Sequence, residues 1–397
     1  MTALAHELMS RGHQVTWFHM RDLEARIRQE RLNFSSVGLS DHPPGSLPES
    51  LRLLGQLDGL AAVRFTIRAV ARTTEMFCRD GPAAIREAGV DALLVDQMEP
   101  AGGTLAEHLR LPFATICNAL AINRDFAIPP PFTPWSFRAG RLARLRNRAG
   151  YAIGDRVARP ITDVIARYRK SWGLPALGSP DDSFSRLAQI CQMPRELDFP
   201  RSSLSANFHY VGPLRAAAET TPFPWQLLDG RPLVYASLGT LQNRRPDVLR
   251  IIAEACQGLD VQLVISHGGG LSDEESRALP GSPIVVPYAP QRAVLGRAAL
   301  TITHAGLNTV LDSLAAGVPL ITVPITYEQP AIASRVLRSG AGKNIPLRKL
   351  QAAAMRELAR EVLASDQYRA AARRMADCIA SAGGVARAAD LVERVIG

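Results

Sequence analysis

His304, Asn308 and Thr309 crowd around Gly306 in the run His-Ala-Gly-Leu-Asn-Thr, three hydrogen-bond donors about a residue that lets a ligand approach the backbone closely. Phosphate oxygens are the acceptors that such a set suits. Downstream, Glu328 and Gln329 put an acid beside an amide. Sugar hydroxyls, which donate and accept, need both.

The elements that must position these residues can be read around them. Residues 299–303 (ALTIT) form a short apolar, β-branched run, the pattern of a buried parallel strand, and residues 307–316 recur at helical spacing. A strand that turns through small residues into a helix aims the helix's free N–H groups and its positive dipole end at whatever lies above the sheet. The turn is therefore predicted to be a diphosphate site. The next strand, predicted over 318–325, brings Glu328 and Gln329 to the same carboxyl-end rim. Upstream, residues 232–240 read as another strand that ends in Ser237-Leu238-Gly239-Thr240. The run His267-Gly268-Gly269-Gly270 lacks the Gly-Lys-Ser/Thr ending of a phosphate loop and is read as a flexible loop.

A wider pass finds helix and strand alternating throughout, with a helix at 3–10 and strands at 14–19 and 91–95 in the first half, and strands near 232, 261, 283, 299 and 319 in the second. Two α/β units follow. The break is expected between Val211 and Trp225, where Gly-Pro-Leu, an alanine run and Thr-Thr-Pro-Phe-Pro interrupt the periodicity. The 397 residues, 47% hydrophobic and 21% charged, exclude a disordered or fibrous chain. Five cysteines without a C-x-x-C pair read as reduced packing residues. The chain shows no run of apolar residues long enough to span a bilayer and no signal pattern, so a cytoplasmic location is expected.

Order and spacing together resemble the donor-binding signature of the UDP-glycosyltransferases. The matching residues are Tyr288-Ala289-Pro290-Gln291, then His304 to Thr309, Asp312, Gly317-Val318-Pro319 and Glu328-Gln329. The resemblance implies a GT-B type α/β fold, two facing Rossmann-like domains with a cleft between them. It places the acceptor domain at 1–213, the UDP-sugar domain at 214–366, and at 367–397 a helix that crosses back to the first domain. It further implies inverting transfer with a UDP-sugar co-substrate, no metal and no other cofactor. Tyr288 would stack on the uracil, with Gln291 beside the nucleoside and Asp312 on the ribose. Ser237, Gly239, Thr240, His304, Gly306, Asn308 and Thr309 would surround the diphosphate, whose charge His304 would help to meet. Glu328 and Gln329 would hold the hexose. The chain departs from the plant pattern in carrying Tyr288 for Trp and Asp312 for Glu.

By the same resemblance, Asp96 is the acid that orients a general-base histidine, and that histidine belongs to a loop before the helix reading Leu4-Ala5-His6-Glu7-Leu8-Met9-Ser10. Counting back from Arg11-Gly12-His13 puts it before Met1. The expectation is a natural start further upstream, with the first strand, its loop and the base; lacking a central strand, the sheet should expose apolar surface. His6 is the only substitute in reach and His13 reads as structural.

The first half and the segments around it extend the resemblance to the zeaxanthin glucosyltransferase branch of the family. These are Asp96 to Gly102, Cys117-Asn118-Ala119-Leu120 with Asn123-Arg124, Pro129-Pro130-Pro131, Leu187 to Gln192, Glu196 to Arg201 and Val211-Gly212-Pro213-Leu214. This implies UDP-glucose as donor, a carotenoid as lipophilic acceptor, and Asn118 in the acceptor pocket. A macrolide, sterol or other lipophilic alcohol remains an alternative acceptor, and a noncatalytic UDP-sugar-binding role stands as the rival if the base is truly lacking. The chain totals +9. From Arg138 to Lys170, nine arginines and one lysine face only Asp155 and Asp163. Interleaved apolar residues make this segment read either as a peripheral contact with an anionic membrane surface or as a solvated helical face. No nucleic-acid reader motif accompanies the charge.

Overall fold

The structure is a computed structural model and describes residues 1–57, 59–216, 221–240 and 244–396. Residues 217–220, inside the expected break, and 241–243, just after Thr240, lie outside the described residues.

The second half is a six-stranded sheet of β7 (Leu233–Ser237), β8 (Gln262–Ser266), β9 (Ile284–Val286), β10 (Ala298–Thr303), β11 (Leu320–Thr322) and β12 (Gly342–Asn344). Its order is β12-β11-β10-β7-β8-β9 and every pair is parallel. The chain builds outward from β7, then returns to lay β10 on the other side of it. That reversal opens a crevice beyond the carboxyl ends of β7 and β10, where Ser237 and Thr303 are register partners. The five residues of β7 are all buried, as a strand covered by helices on both faces must be. β11 stops at Thr322, short of the expected 325, because Pro324 and the turn that follows leave the sheet.

The first half carries its strands in two parallel sheets. β1 (Thr16–His19) pairs β2 (Asn33–Ser36), while β3 (Leu93–Asp96), β4 (Phe113–Cys117), β5 (Ala188–Cys191) and β6 (Phe208–Tyr210) form the other in that order. All four residues of β1 are only half-buried, whereas all four of β5 are buried. Buried free thiols at Cys78, Cys117, Cys191 and Cys256 serve as core packing.

The helical C-terminal stretch is two helices, Asp366–Ser381 and Gly384–Ile396, broken where Gly383 and Gly384 take φ of 96° and 57°. The first packs its Ala371, Ala372 and Met375 against Val310, Leu311 and Leu314 of the second half, in a cluster that also takes in Met193 and Leu197 of the first. The second lies on the first half, where Ala388, Ala389, Leu391 and Val392 meet Leu4, Leu8, Ile116 and Ile190. Arg11 ties it down through Asp390 at 2.7 Å and Glu393 at 2.9 Å, and His13 reaches Glu393 at 3.2 Å.

The two halves also share a buried polar joint. Arg335 Nε donates to Asp198 Oδ1 at 2.9 Å, and Arg201 Nε and Tyr210 Oη donate to Asp198 Oδ2 at 2.7 and 2.8 Å. The Arg335 guanidinium lies 4.1 Å from the centre of the Phe199 ring. Burial pushes the Asp198 carboxyl up, but Arg335 and Arg201 outweigh it and hold it well below the usual carboxylate range. Among the described residues, no helix is long and apolar enough to cross a membrane.

Candidate active site

β10 delivers His304 into the crevice, and Ala305 then turns the chain with φ of 68°, a left-handed conformation that costs a side-chain-bearing residue on the order of 1 kcal/mol or more. Gly306 opens the helix Leu307–Ala315, whose first turn no side chain caps, so its N–H groups face the crevice. The imidazole of His304 is wedged between two glycines. A Cβ on Gly239 would lie 2.8 Å from its Cε1, and one on Gly306 only 2.6 Å from Cε1 and Nε2. Beyond any approach of a ligand, both glycines are therefore required by the ring itself.

Burial lowers the His304 pKa to about 4 despite a hydrogen bond to the Ser237 backbone. Burial thus favours the uncharged ring near neutral pH, which still offers an N–H donor to a phosphate oxygen. Ser237 is buried, and its Oγ accepts from the Gly239 N–H at 3.2 Å, which folds the turn back on itself. Thr240 is exposed at the crevice edge.

Gln291, Thr309 and Asp312 meet as a group. Gln291 Nε2 donates to Asp312 Oδ2 at 2.6 Å, while Thr309 Oγ1 and Tyr235 Oη reach Gln291 Oε1 at 3.4 and 3.3 Å. Tyr288 stands at the rim, 57% exposed, so that a flat ligand can stack on its ring. Its hydroxyl lies 3.4 Å from the Gly268 carbonyl. The glycine run read as a flexible loop is instead a tied turn. Gly268 N–H bonds the Pro287 carbonyl at 2.7 Å, and the buried His267 ring accepts from Leu271 N–H at 3.0 Å.

Glu328 is half-buried at the start of the helix Gln329–Ser339. Gln329 is buried, and its Oε1 accepts from the N–H groups of Ile325 and Thr326 at 2.8 and 2.9 Å. Gln329 thus braces its own loop and keeps only its amide NH2 for a ligand. Tyr327, with φ of 54°, reaches across to Thr66 on the long helix Gly59–Glu87 of the first half.

Asp96 ends β3, where its Oδ1 accepts from Met98 N–H at 2.9 Å and its Oδ2 from Asn118 Nδ2 at 3.0 Å. The Met1 ammonium lies 3.5 Å from Asn118 Oδ1. Among the described residues no histidine is hydrogen-bonded to Asp96, and the His6 ring is committed to the Glu30 carbonyl at 2.7 Å. Glu99, partly buried beside Asp96, has its pKa raised to about 7 by desolvation and by that neighbouring charge, although the Ala101 N–H opposes the shift.

Two neighbours of the Asp312 group have no signal in the sequence. Arg215 Nε donates to Asp312 Oδ1 at 2.6 Å, and its Nη2 to the Asn308 carbonyl and Oδ1, each at 3.2 Å. Gln192 Nε2 donates to Asn308 Oδ1 at 3.2 Å and also to the Asn118 carbonyl. Together they connect the Asp312 group to Asp96 through Asn308 and Asn118. Gln192 closes the quoted segment 187–192 and Arg215 follows 211–214, but neither carries a local signal of its partner.

The family described as UDP-glucoronosyl and UDP-glucosyl transferase matches residues 180–379. A zeaxanthin glucosyltransferase of Pantoea ananas is 38% identical over 99% of this chain and 92% of its own length. A second, from Pseudescherichia vulneris, is 36% identical over 99% of the chain and 94% of its own length. The crystal structure of CalG4, the calicheamicin glycosyltransferase, superposes with a TM-score of 0.75 at 23% identity, covering 100% of this chain and 94% of that one, which speaks for the fold alone. Motif, crevice and likeness converge: the chain belongs to the UDP-glycosyltransferase family, as a glycosyltransferase of GT-B fold that takes a UDP-sugar as donor.

Proposed function

We propose that this chain transfers glucose from UDP-glucose to a hydroxyl of a lipophilic acceptor, a carotenoid such as zeaxanthin, with inversion at the anomeric carbon. The observation that carries the reading is the 38% and 36% identity, along essentially the whole chain, to two zeaxanthin glucosyltransferases. In this reading Tyr288 stacks on the uracil, Gln291 and Asp312 take the ribose, and Glu328 with the Gln329 amide orients the hexose. The diphosphate sits above the uncapped first turn of Leu307–Ala315, with Ser237, Thr240, Asn308, Thr309 and the neutral His304 ring as donors. No metal is needed for that arrangement. The acceptor hydroxyl enters beside Asn118 and Asp96 and attacks the anomeric carbon in line. The bond from that carbon to the β-phosphate oxygen breaks, and UDP departs with the charge. The hydroxyl proton leaves on the side of the Asp96 carboxylate, which draws it off and stabilises the positive charge that builds there.

The test is to incubate this chain with UDP-glucose and zeaxanthin in detergent micelles and to follow products by mass. A hexose added to zeaxanthin supports the reading. Transfer to a macrolide or sterol but not to zeaxanthin, or UDP binding with no turnover, overturns it.

A further inference from the structure

We propose that the exposed face of the helix Arg141–Ser171 docks on an anionic lipid bilayer. Leu142, Leu145, Ala149 and Ile153 follow one another at spacings of three and four, which puts them on one side of the helix. That side faces solvent: Leu142 is 83% exposed, Leu145 66% and Ile153 65%. The core side is taken by Ala143, Asn147, Gly150 and Tyr151. At 1.5 Å per residue the apolar stripe runs for roughly 16 Å, too long to be a scattered surface leucine.

Charge identifies the occupant. Arg141, Arg144, Arg148 and Arg156 are exposed around the stripe, and no carboxylate pairs with them among the described residues. The acids of the segment are already neutralised: Asp155 by Arg124 at 2.9 Å, Asp163 by Arg159 at 3.7 Å. An apolar stripe flanked by arginines that no carboxylate neutralises suits a surface that is greasy beneath and negative on top, which describes an anionic bilayer. A second copy of the chain would set arginines against arginines. A nucleic acid would satisfy the arginines but leave the leucines in water.

Cosedimentation of the full chain tests this, with vesicles of equal parts phosphatidylcholine and phosphatidylglycerol against pure phosphatidylcholine. Binding to the anionic vesicles at least about tenfold stronger, and weakened by high salt, is expected. The variant Leu142→Ser/Leu145→Ser/Ile153→Ser and the variant Arg141→Gln/Arg144→Gln/Arg148→Gln should each lose at least about tenfold while keeping the wild-type circular dichroism. Equal binding to both vesicles, no binding to either, or wild-type partitioning by both variants overturns the inference. So does a dimer that the serine variant abolishes, which would assign the face to a second copy. Partitioning is read without turnover, so its failure leaves the proposed reaction standing, and the reverse also holds.

Discussion

The guanidinium of Arg215, just past the Gly-Pro-Leu that ends the first half, lies 2.6 Å from the carboxylate of Asp312 on the helix that opens the donor crevice. The same carboxylate is held on its other oxygen by Gln291, also at 2.6 Å. Asp312 is therefore shaped from both sides before a donor arrives.

Coupling is the first expectation. In a double-mutant cycle of Arg215→Ala and Asp312→Ala, read by calorimetry of UDP binding, the two should be non-additive by about 1 to 2 kcal/mol. Simple additivity would show that the ion pair plays no part in UDP binding.

The wedge at His304 gives a rescue test. Gly306→Ala should cost about 1 to 3 kcal/mol in urea unfolding, and His304→Ala in the same chain should return most of it, because the clash is with the ring alone. Gly239→Ala should be rescued only in part, since Gly239 also needs a φ of 73°. Full rescue at both positions would contradict the backbone argument.

Two groups set opposing pH slopes. His304 has a folded pKa lowered to about 4, so in the window between that value and its ordinary 6.5 only the unfolded chain takes the proton; its stabilisation is complete above the window and lost as pH falls through it. Glu99 is raised from 4.5 to about 7, so only the folded chain keeps the proton in that window, and stability falls as pH rises through it. Each effect amounts to about 3 kcal/mol at most. Unfolding across the window should show near-cancellation in the wild type, a rising slope in Glu99→Gln and a falling one in His304→Ala. Parallel profiles for the two variants would sink the assignment.

At the joint between the halves, Asp198→Asn leaves Arg335 and Arg201 buried without their counter-charge. The expected loss is about 3 to 5 kcal/mol in urea unfolding, and a loss under about 1 kcal/mol would mean that the joint is not a closed electrostatic unit.

Asp96→Asn keeps the shape of the side chain and the Met98 contact but removes the charge. Turnover by an active preparation should fall by about a hundredfold or more while UDP affinity stays within about twofold. Equal loss of both would move Asp96 from the reaction to the fold.

Much of this was open to reading along the chain. The strand ending at Thr303, the helix from Leu307 and the strand ending at Ser237 declare themselves because each is a local pattern of apolar residues closed by a turn. Less visible were the roles that depend on what stands opposite. Gln329 reads as a ligand for sugar hydroxyls, yet half of its amide is consumed by Ile325 and Thr326 N–H groups. The C-terminal stretch reads as one crossing helix, yet the Gly383-Gly384 pair breaks it into two.

The sequence by itself determined the two-unit α/β architecture and the strand, turn and helix around His304, because hydrophobic period, turn residues and motif spacing are local properties of the chain. Only the tertiary structure decided that His304 is neutral, that Arg215 and Gln192 join the site, and that the arginine-rich helix turns its leucines outward. A pKa depends on burial, an ion pair on residues nearly a hundred positions apart coming together, and an exposed face on what the rest of the fold leaves uncovered.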